Sequence, residues 1–308
     1  MHSFLTHDAA MQLRVISAAA GSFAGAVSRT ASTAPRPTPT RLAGVSVIIP
    51  TFRRLGPLQE AIESALNQHG VDVEVIVVDD SPEASSRDTV LGFADSRVRY
   101  AQPDVPSGGR PGIPRNAGAA LATKEFVHFL DDDDRLADGA LAALTSALSR
   151  NPKIGVAMGI VAPFGDDPEA LAHEQEYFKA GANMLRQMRS RFELTRNMLF
   201  ARTPLVNSSC MLRRSCIPHI GGYSSIVKYV EDVDFYLRGV RRFGFVFVDQ
   251  PVVHYRTGTA SLMHSLEDLT VLRESYQNIY AGYRAQFGKL EFMLLRAYAR
   301  LTKLVSRR

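Results

Sequence analysis

Residues 125–136 read EFVHFLDDDDRL, so four consecutive carboxylates, Asp131, Asp132, Asp133 and Asp134, stand directly behind an apolar run. Like charges this close repel one another. Either water and the neighbouring Arg135 screen a solvated turn, or a positive group belongs among them. Two further polar clusters follow apolar runs in the same way: Pro50, Thr51 and Phe52 after GVSVII, and Asp79 and Asp80 after VEVIVV. Hard oxygen ligands suit magnesium or manganese, and magnesium takes one or two carboxylates plus substrate phosphates. Alternate side chains of an extended segment face the same way, so Asp131 and Asp133 can address one cation. A Gly- and Pro-rich loop, PDVPSGGRPGIP at 103–114, precedes RNAGAAL. It brings Arg115 and the free N–H groups of a helix N-terminus to a place where a phosphate can dock. The loop lacks the Walker pattern, which argues against a P-loop nucleotidase.

The elements that must position these groups alternate. GVSVIIP (44–50) and VDVEVIVVDD (71–80) predict strands, with a helix over 57–68 between them. A helix over 84–94, a strand at 97–100, a helix over 115–123 and the strand EFVHFL continue the pattern. Uninterrupted apolar strands alternating with helices imply an α/β fold, a mostly parallel sheet covered on both faces. Ligands of such sheets bind beyond the carboxyl ends of the strands, where all three polar clusters fall. The second half is less regular: a helix at 136–150, a strand at 154–164, a charged helical stretch at 165–205, and a strand at 206–215. A helix at 229–244 follows, and FVFVDQPVVHYR (245–256) reads as two strands broken by Pro251.

The net charge of +5 is carried at the ends: residues 1–44 contribute +3 and residues 287–308 contribute +5, which leaves −3 on the body. A nucleic-acid footprint needs a basic face on the folded body, so that class is set aside. No stretch approaches the ~20 apolar residues of a membrane span. Cys210 and Cys216 form no zinc pattern and suit a reducing compartment. Residues 1–43, rich in Ala, Ser, Thr and Pro, are expected to be a flexible extension. Within them VISAAAGSFAGAV (15–27) has a signal-like flavour, but a cytoplasmic location is the preferred reading. In the last helix Leu290, Leu294, Ala297, Leu301 and Leu304 form a stripe among basic residues. It is expected to pack on the body; the second reading is a peripheral contact with the inner face of the cell membrane.

Four ordered segments, VSVIIPTFRR, VIVVDDS, GGRPGIPRNAGAALATKEFVHFLDDDD and GGYSSIVKYVEDVDFYLRG, make residues 44–260 resemble a family 2 glycosyltransferase of the nucleotide-binding GT-A fold. The resemblance implies a nucleotide-binding half at 44–135, an acceptor half at 136–260 and a basic helical extension at 261–308. By the same resemblance Pro50, Thr51 and Phe52 contact the base and ribose, Asp80 accepts from the base, Arg115 lies near the nucleotide, and Asp131 and Asp132 approach the ribose. Asp133, with Asp131, holds the divalent metal, Asp232 is the general base and Glu231 supports it. The implied activity is metal-dependent, inverting sugar transfer from a nucleoside-diphosphate donor, expected to be UDP-linked, to a glycan or glycolipid acceptor. Two departures stand out. Pro111 and Pro114 occupy places where the family usually has small residues, and Gly258 stands where many relatives carry a metal-binding His, which leaves His254 as a substitute candidate. Two other readings are a catalytically silent nucleotide-sugar binder and a sugar nucleotidyltransferase. The second needs a Gly- and Arg-rich phosphate loop after the first strand, which PTFRRLG matches poorly.

Overall fold

A computed structural model describes residues 13–17, 42–201, 205–258 and 269–305. In chain order the first half runs β1 (Leu13–Ser17), β2 (Ala43–Thr51), α1 (Leu55–Leu66), β3 (Val71–Asp79), α2 (Arg87–Leu91), β4 (Val98–Pro103), α3 (Gly112–Leu121) and β5 (Phe126–Phe129). The second half runs β6 (Arg135–Leu136), α4 (Ala140–Arg150), β7 (Val156–Phe164), α5 (Pro168–Gln187), α6 (Arg191–Phe200) and β8 (Cys210–Arg213). It closes with α7 (Ile217–Ile220), α8 (Glu231–Phe243), β9 (Phe245–Arg256), α9 (Leu269–Phe287) and α10 (Lys289–Val305). The strands form one sheet in the order β1-β4-β3-β2-β5-β8-β7-β9-β6.

β4, β3, β2 and β5 are parallel neighbours, and β8 enters antiparallel between β5 and β7. Ile48, Ile76 and Val78 face one core, shared with α3, α8, α9 and α10. Val47, Ile49, Val75 and Val77 face the other, shared with α1 and α4. Burial on both faces is why these strands read as continuous apolar runs rather than alternations. α1 buries Leu58, Ala61, Ile62 and Ala65, the i, i+3, i+4, i+7 face of an amphipathic helix.

α3 packs tightly on β2 and β3 because Gly118 has no side chain: a Cβ there would press into the methyls of Ile48 and Val78. Gly118→Ala is therefore expected to cost about 1–3 kcal/mol through overpacking, read as a lower urea midpoint at unchanged slope.

Four sequence expectations need correction. Residues Leu13–Ser17 of the expected extension form an edge strand antiparallel to β4, in register from Leu13 opposite Pro103 to Ser17 opposite Arg99. Without it β4 would present unpaired backbone groups, and the β-branched LRVIS satisfies them. The rest of 1–41, including 18–27 of the signal-like run, lies outside the described residues. α3 starts at Gly112 rather than near 115, since Pro111 at the N-cap and Pro114 in the first turn need no N–H partner there. Residues 245–256 form one strand; Pro251 is accommodated by register shifts against β7 on either side of Ile160. In α10 the stripe turned to the body is Phe292, Leu295 and Ala299, not the one containing Leu290, Leu294 and Leu301, which is exposed. Arg241 fixes that orientation by gripping both carboxylate oxygens of Glu291 at 2.6 Å, and the Tyr283 hydroxyl donates to the same group. Among the described residues no helix is long and apolar enough to cross a membrane.

Candidate active site

The carboxyl ends of β2, β3 and β5 converge as the strand-end rule requires. Backbone pairing continues past β3, where the Asp80 N–H donates to the Thr51 carbonyl at 2.9 Å. Thr51 Oγ1 donates to Asp132 Oδ2 at 2.7 Å, which ties the end of β2 to the aspartate run behind β5. Arg53 has a φ of 59°, a left-handed conformation that turns the chain sharply after Phe52. The guanidinium of Arg53 grips Glu83 at 2.5 and 3.0 Å and lies over the exposed Phe52 ring. Arg54 is thereby directed inward: its Nη1 donates to Asp133 Oδ2 at 2.5 Å and to Asp132 Oδ1 at 3.4 Å.

On the other side stands the N-terminus of α8. Val230, a β-branched residue with φ of 55°, precedes Glu231 and sets the direction of entry into the helix. Such a conformation costs of order 1–3 kcal/mol and persists only where the surroundings enforce it. Arg115 joins the two sides: Nη1 donates to Glu231 Oε1 at 2.5 Å and Nη2 to Asp131 Oδ1 at 2.7 Å. It is 5% exposed, and its pair with Glu231 is shielded from water while Asp131 stays partly open to it. Below it the Tyr223 ring stacks on Phe235 at 4.2 Å, and the Tyr223 hydroxyl donates to Asn207 Oδ1. Asn207 Nδ2 in turn reaches Asp131 at 3.3 Å. Asn116 holds the loop carrying Tyr223 through both backbone groups of that residue, at 2.7 and 2.9 Å.

Five carboxylates, Asp131, Asp132, Asp133, Glu231 and Asp232, thus meet two guanidiniums, Arg54 and Arg115. Burial, then repulsion from Asp133, pushes Asp132 up to about 7. Burial and Asp131 raise Asp133. Asp232 is also pushed up to about 7, first by burial and then by Glu231, with Arg115 opposing. The remaining excess of negative charge is what a divalent cation would offset.

Each predicted residue has a definite place. Pro50, Thr51, Phe52, Asp80, Asp131, Asp132 and Asp133 lie along the strand ends, and Glu231 and Asp232 open α8. Both oxygens of Asp80 accept from Ser107, one from its N–H at 2.7 Å and one from its hydroxyl at 2.5 Å, so the loop after β4 is anchored there. Arg115 faces two carboxylates. His254 is not brought to the aspartates: its ring stands edge-on to Phe164 at 6.4 Å. Arg256, one side-chain repeat or ~7 Å further along the strand, reaches them instead. Its N–H donates to Asp134 Oδ1 at 3.1 Å and its Nε to the Asp133 carbonyl at 2.9 Å. Asp134 is buried there and raised well above the carboxylate range by that burial. Gly258 lies at the edge of the described residues, and 259–261 lie outside them. Among the described residues no three His, Cys, Asp or Glu side chains form a metal cluster.

Sequence reasoning missed Arg54, Ser107, Asn207, Tyr223 and Arg256. The second Arg of PTFRR and the Arg of HYR were the available signals; Asn207 and Tyr223 offered none. A groove of about 630 Å³ between α5, α6 and β9 lies away from these groups and is lined by Arg186, Met188 and Asp249 among others.

A family model described as Glycosyl transferase family 2 matches residues 46–221. The match spans Asp80, Arg115 and Asp131–Asp133 and stops ten residues before Glu231. Over 102 residues the chain is 41% identical to the GalNAc(5)-diNAcBac-PP-undecaprenol beta-1,3-glucosyltransferase of Campylobacter jejuni, covering 32% of this chain and 33% of that protein. Over 103 residues it is 39% identical to the poly(ribitol-phosphate) beta-N-acetylglucosaminyltransferase TarP of Staphylococcus aureus, covering 32% and 31%. The chain thus spans about a third of each of these relatives. Among solved structures, S. aureus TarS superposes with a TM-score of 0.58 at 17% identity, over 83% of this chain and 42% of that one. TarS 1–349 in complex with UDP-GlcNAc gives 0.57 at 18%, over 78% and 66%. At these identities the likeness is one of fold, the expected GT-A-like α/β sheet.

Proposed function

The chain belongs to glycosyl transferase family 2, and from that premise we propose that it moves a sugar from a UDP-linked donor to a hydroxyl of a glycan or glycolipid, inverting the anomeric centre. The observation that carries this reading is Arg115, which holds Asp131, at the predicted donor end, and Glu231, beside Asp232, on its two Nη atoms. One guanidinium therefore fixes the spacing between a donor-binding edge and a candidate base. The named donors and acceptors of the relatives agree with it: TarS has been crystallised with UDP-GlcNAc, and the Campylobacter protein is a glucosyltransferase named for an undecaprenol-linked acceptor.

In this reading Pro50, Thr51 and Phe52 border the base and ribose. Asp80 retains lone pairs for a base N–H beside the two bonds from Ser107, because each carboxylate oxygen accepts more than once. Asp131 and Asp132 approach the ribose. The donor set of Asp131 and Asp133, two carboxylates offering hard oxygens, fits magnesium or manganese with phosphate oxygens completing the shell. Such a cation, when bound, stabilises charge on the leaving diphosphate. Asp232, pushed up to about 7, is suited to take the acceptor proton near neutral pH. Glu231, paired with Arg115, stands beside it in a supporting role. A single base working in line with the leaving group gives inversion.

Calorimetry with UDP tests the donor half. Binding should be about tenfold or more tighter with manganese than with a chelator, an increment of at least ~1.4 kcal/mol. Asp133→Ala should lose that increment while melting as a folded protein. UDP affinity indifferent to both metal and Asp133 would overturn the metal assignment. The anomer released on transfer, read by NMR, tests inversion.

A further inference from the structure

α10 is apolar on two opposite faces. At about 100° per residue, Phe292, Leu295 and Ala299 share the face that packs against α6 and α9. Leu290, Met293, Leu294, Ala297 and Leu301 share the opposite one. Leu290, Leu294 and Leu301 are 71%, 62% and 60% exposed, unlike the scattered single leucines of an ordinary surface. The basic residues are not spread round the helix either. Lys289, Arg296 and Arg300 fall on one flank, between the packed face and the exposed apolar face. On the other flank Tyr298 is partly exposed, with the guanidinium of Arg196 from α6 4.7 Å from its ring centroid.

Glu291 is the one acidic residue in 287–308, and Arg241 and Tyr283 hold it on the packed side. Among its own described residues the exposed side of α10 therefore has an apolar strip with cations beside it and no anion. That arrangement selects between occupants. A second copy docked through the same strip would offer these cations no acidic partner from its own α10: antiparallel packing sets the two basic flanks side by side, and parallel packing sets each beside the flank of Tyr298 and Arg196. A bilayer with anionic headgroups meets both demands: acyl chains take the leucines, and phosphates take Lys289, Arg296 and Arg300, whose long side chains reach upward from an apolar contact.

We propose that the outer face of α10 is a membrane-docking surface for anionic lipid, lying in the interface plane rather than spanning the bilayer. It is independent of which sugar is transferred. Flotation of the full chain with vesicles tests it. Binding is expected to phosphatidylcholine mixed with phosphatidylglycerol, to weaken with salt, and to be absent with phosphatidylcholine alone. Leu294→Glu with Leu301→Glu should lower partitioning at least about tenfold, since each leucine loses its burial. Arg296→Glu with Arg300→Glu should also lower it and abolish the salt dependence. UDP binding should be unchanged in both variants, because α10 packs on α6 and α9, not on the strand ends. A milder pair, Leu294→Ser with Leu301→Ser, repeats the measurement without introducing charge. Failure of the unmodified chain to float with anionic vesicles overturns the proposal. So does a dimer in sedimentation that the leucine substitutions dissociate, which would make a second copy the occupant.

Discussion

Asp232→Asn is expected to lower turnover by about 10²–10⁴-fold while UDP still binds and the protein becomes more stable above neutral pH. The two effects have one origin. Asp232 is held at about 7 against an ordinary 3.8, because burial and then Glu231 penalise its charged form. Between those values the folded chain keeps a proton that the unfolded chain has lost, so stability falls as pH rises through the window. Above about 7 the full cost of a buried carboxylate remains, and the neutral amide removes it. In the proposed mechanism the same ionisation produces the base, so kcat/KM of the unmodified enzyme should rise up to about pH 7 and then level. Steady-state kinetics across that range, with urea melts on either side of it, measure both. Retained turnover in Asp232→Asn would pass the base role to another group. Lost turnover accompanied by lost stability at alkaline pH would make Asp232 a structural residue.

Much of this site was legible in the sequence because the sheet itself was. β2, β3 and β5 are buried on both faces, so they appear as continuous apolar runs, and the polar residues that follow each run fall at one edge. Glu231 and Asp232 were legible only through the resemblance carried by GGYSSIVKYVEDVDFYLRG, since acidic residues at a helix start are otherwise ordinary. The ion pairs between these groups were not. Arg54 points inward only because Arg53 adopts a left-handed turn, which nothing in PTFRRLG announces. Arg256 and His254 share a strand, and only the register of β9 with β6 and β7 decides which approaches the aspartates. β1 depends on an open edge created far along the chain by β4. In α10 two stripes have helical spacing, so periodicity could not say which packs; the Arg241 grip on Glu291 decides it.

Arg115 is the other position where a large effect is expected, because its charge compensates carboxylates from two halves of the chain. Arg115→Met leaves Glu231, and in part Asp131, without a partner in a shielded site, which should cost about 3–5 kcal/mol. Arg115→Lys should recover little of it. An ammonium is a point charge and cannot reproduce the fork that reaches Glu231 at 2.5 Å and Asp131 at 2.7 Å together. Adding Glu231→Gln to Arg115→Met should restore part of the stability, since the stranded charge is gone, and a double-mutant cycle gives the coupling. A purely structural role predicts no more than that. A positioning role predicts in addition that the acid limb of the pH profile moves upward in Arg115→Met, because Arg115, ahead of the Val233 N–H, holds Asp232 down against its burial. Thermal melts and pH-dependent kcat/KM separate the two. Wild-type stability and an unmoved limb in Arg115→Lys would show that one cation of any shape is enough, and that the fork does not set the spacing between donor edge and base.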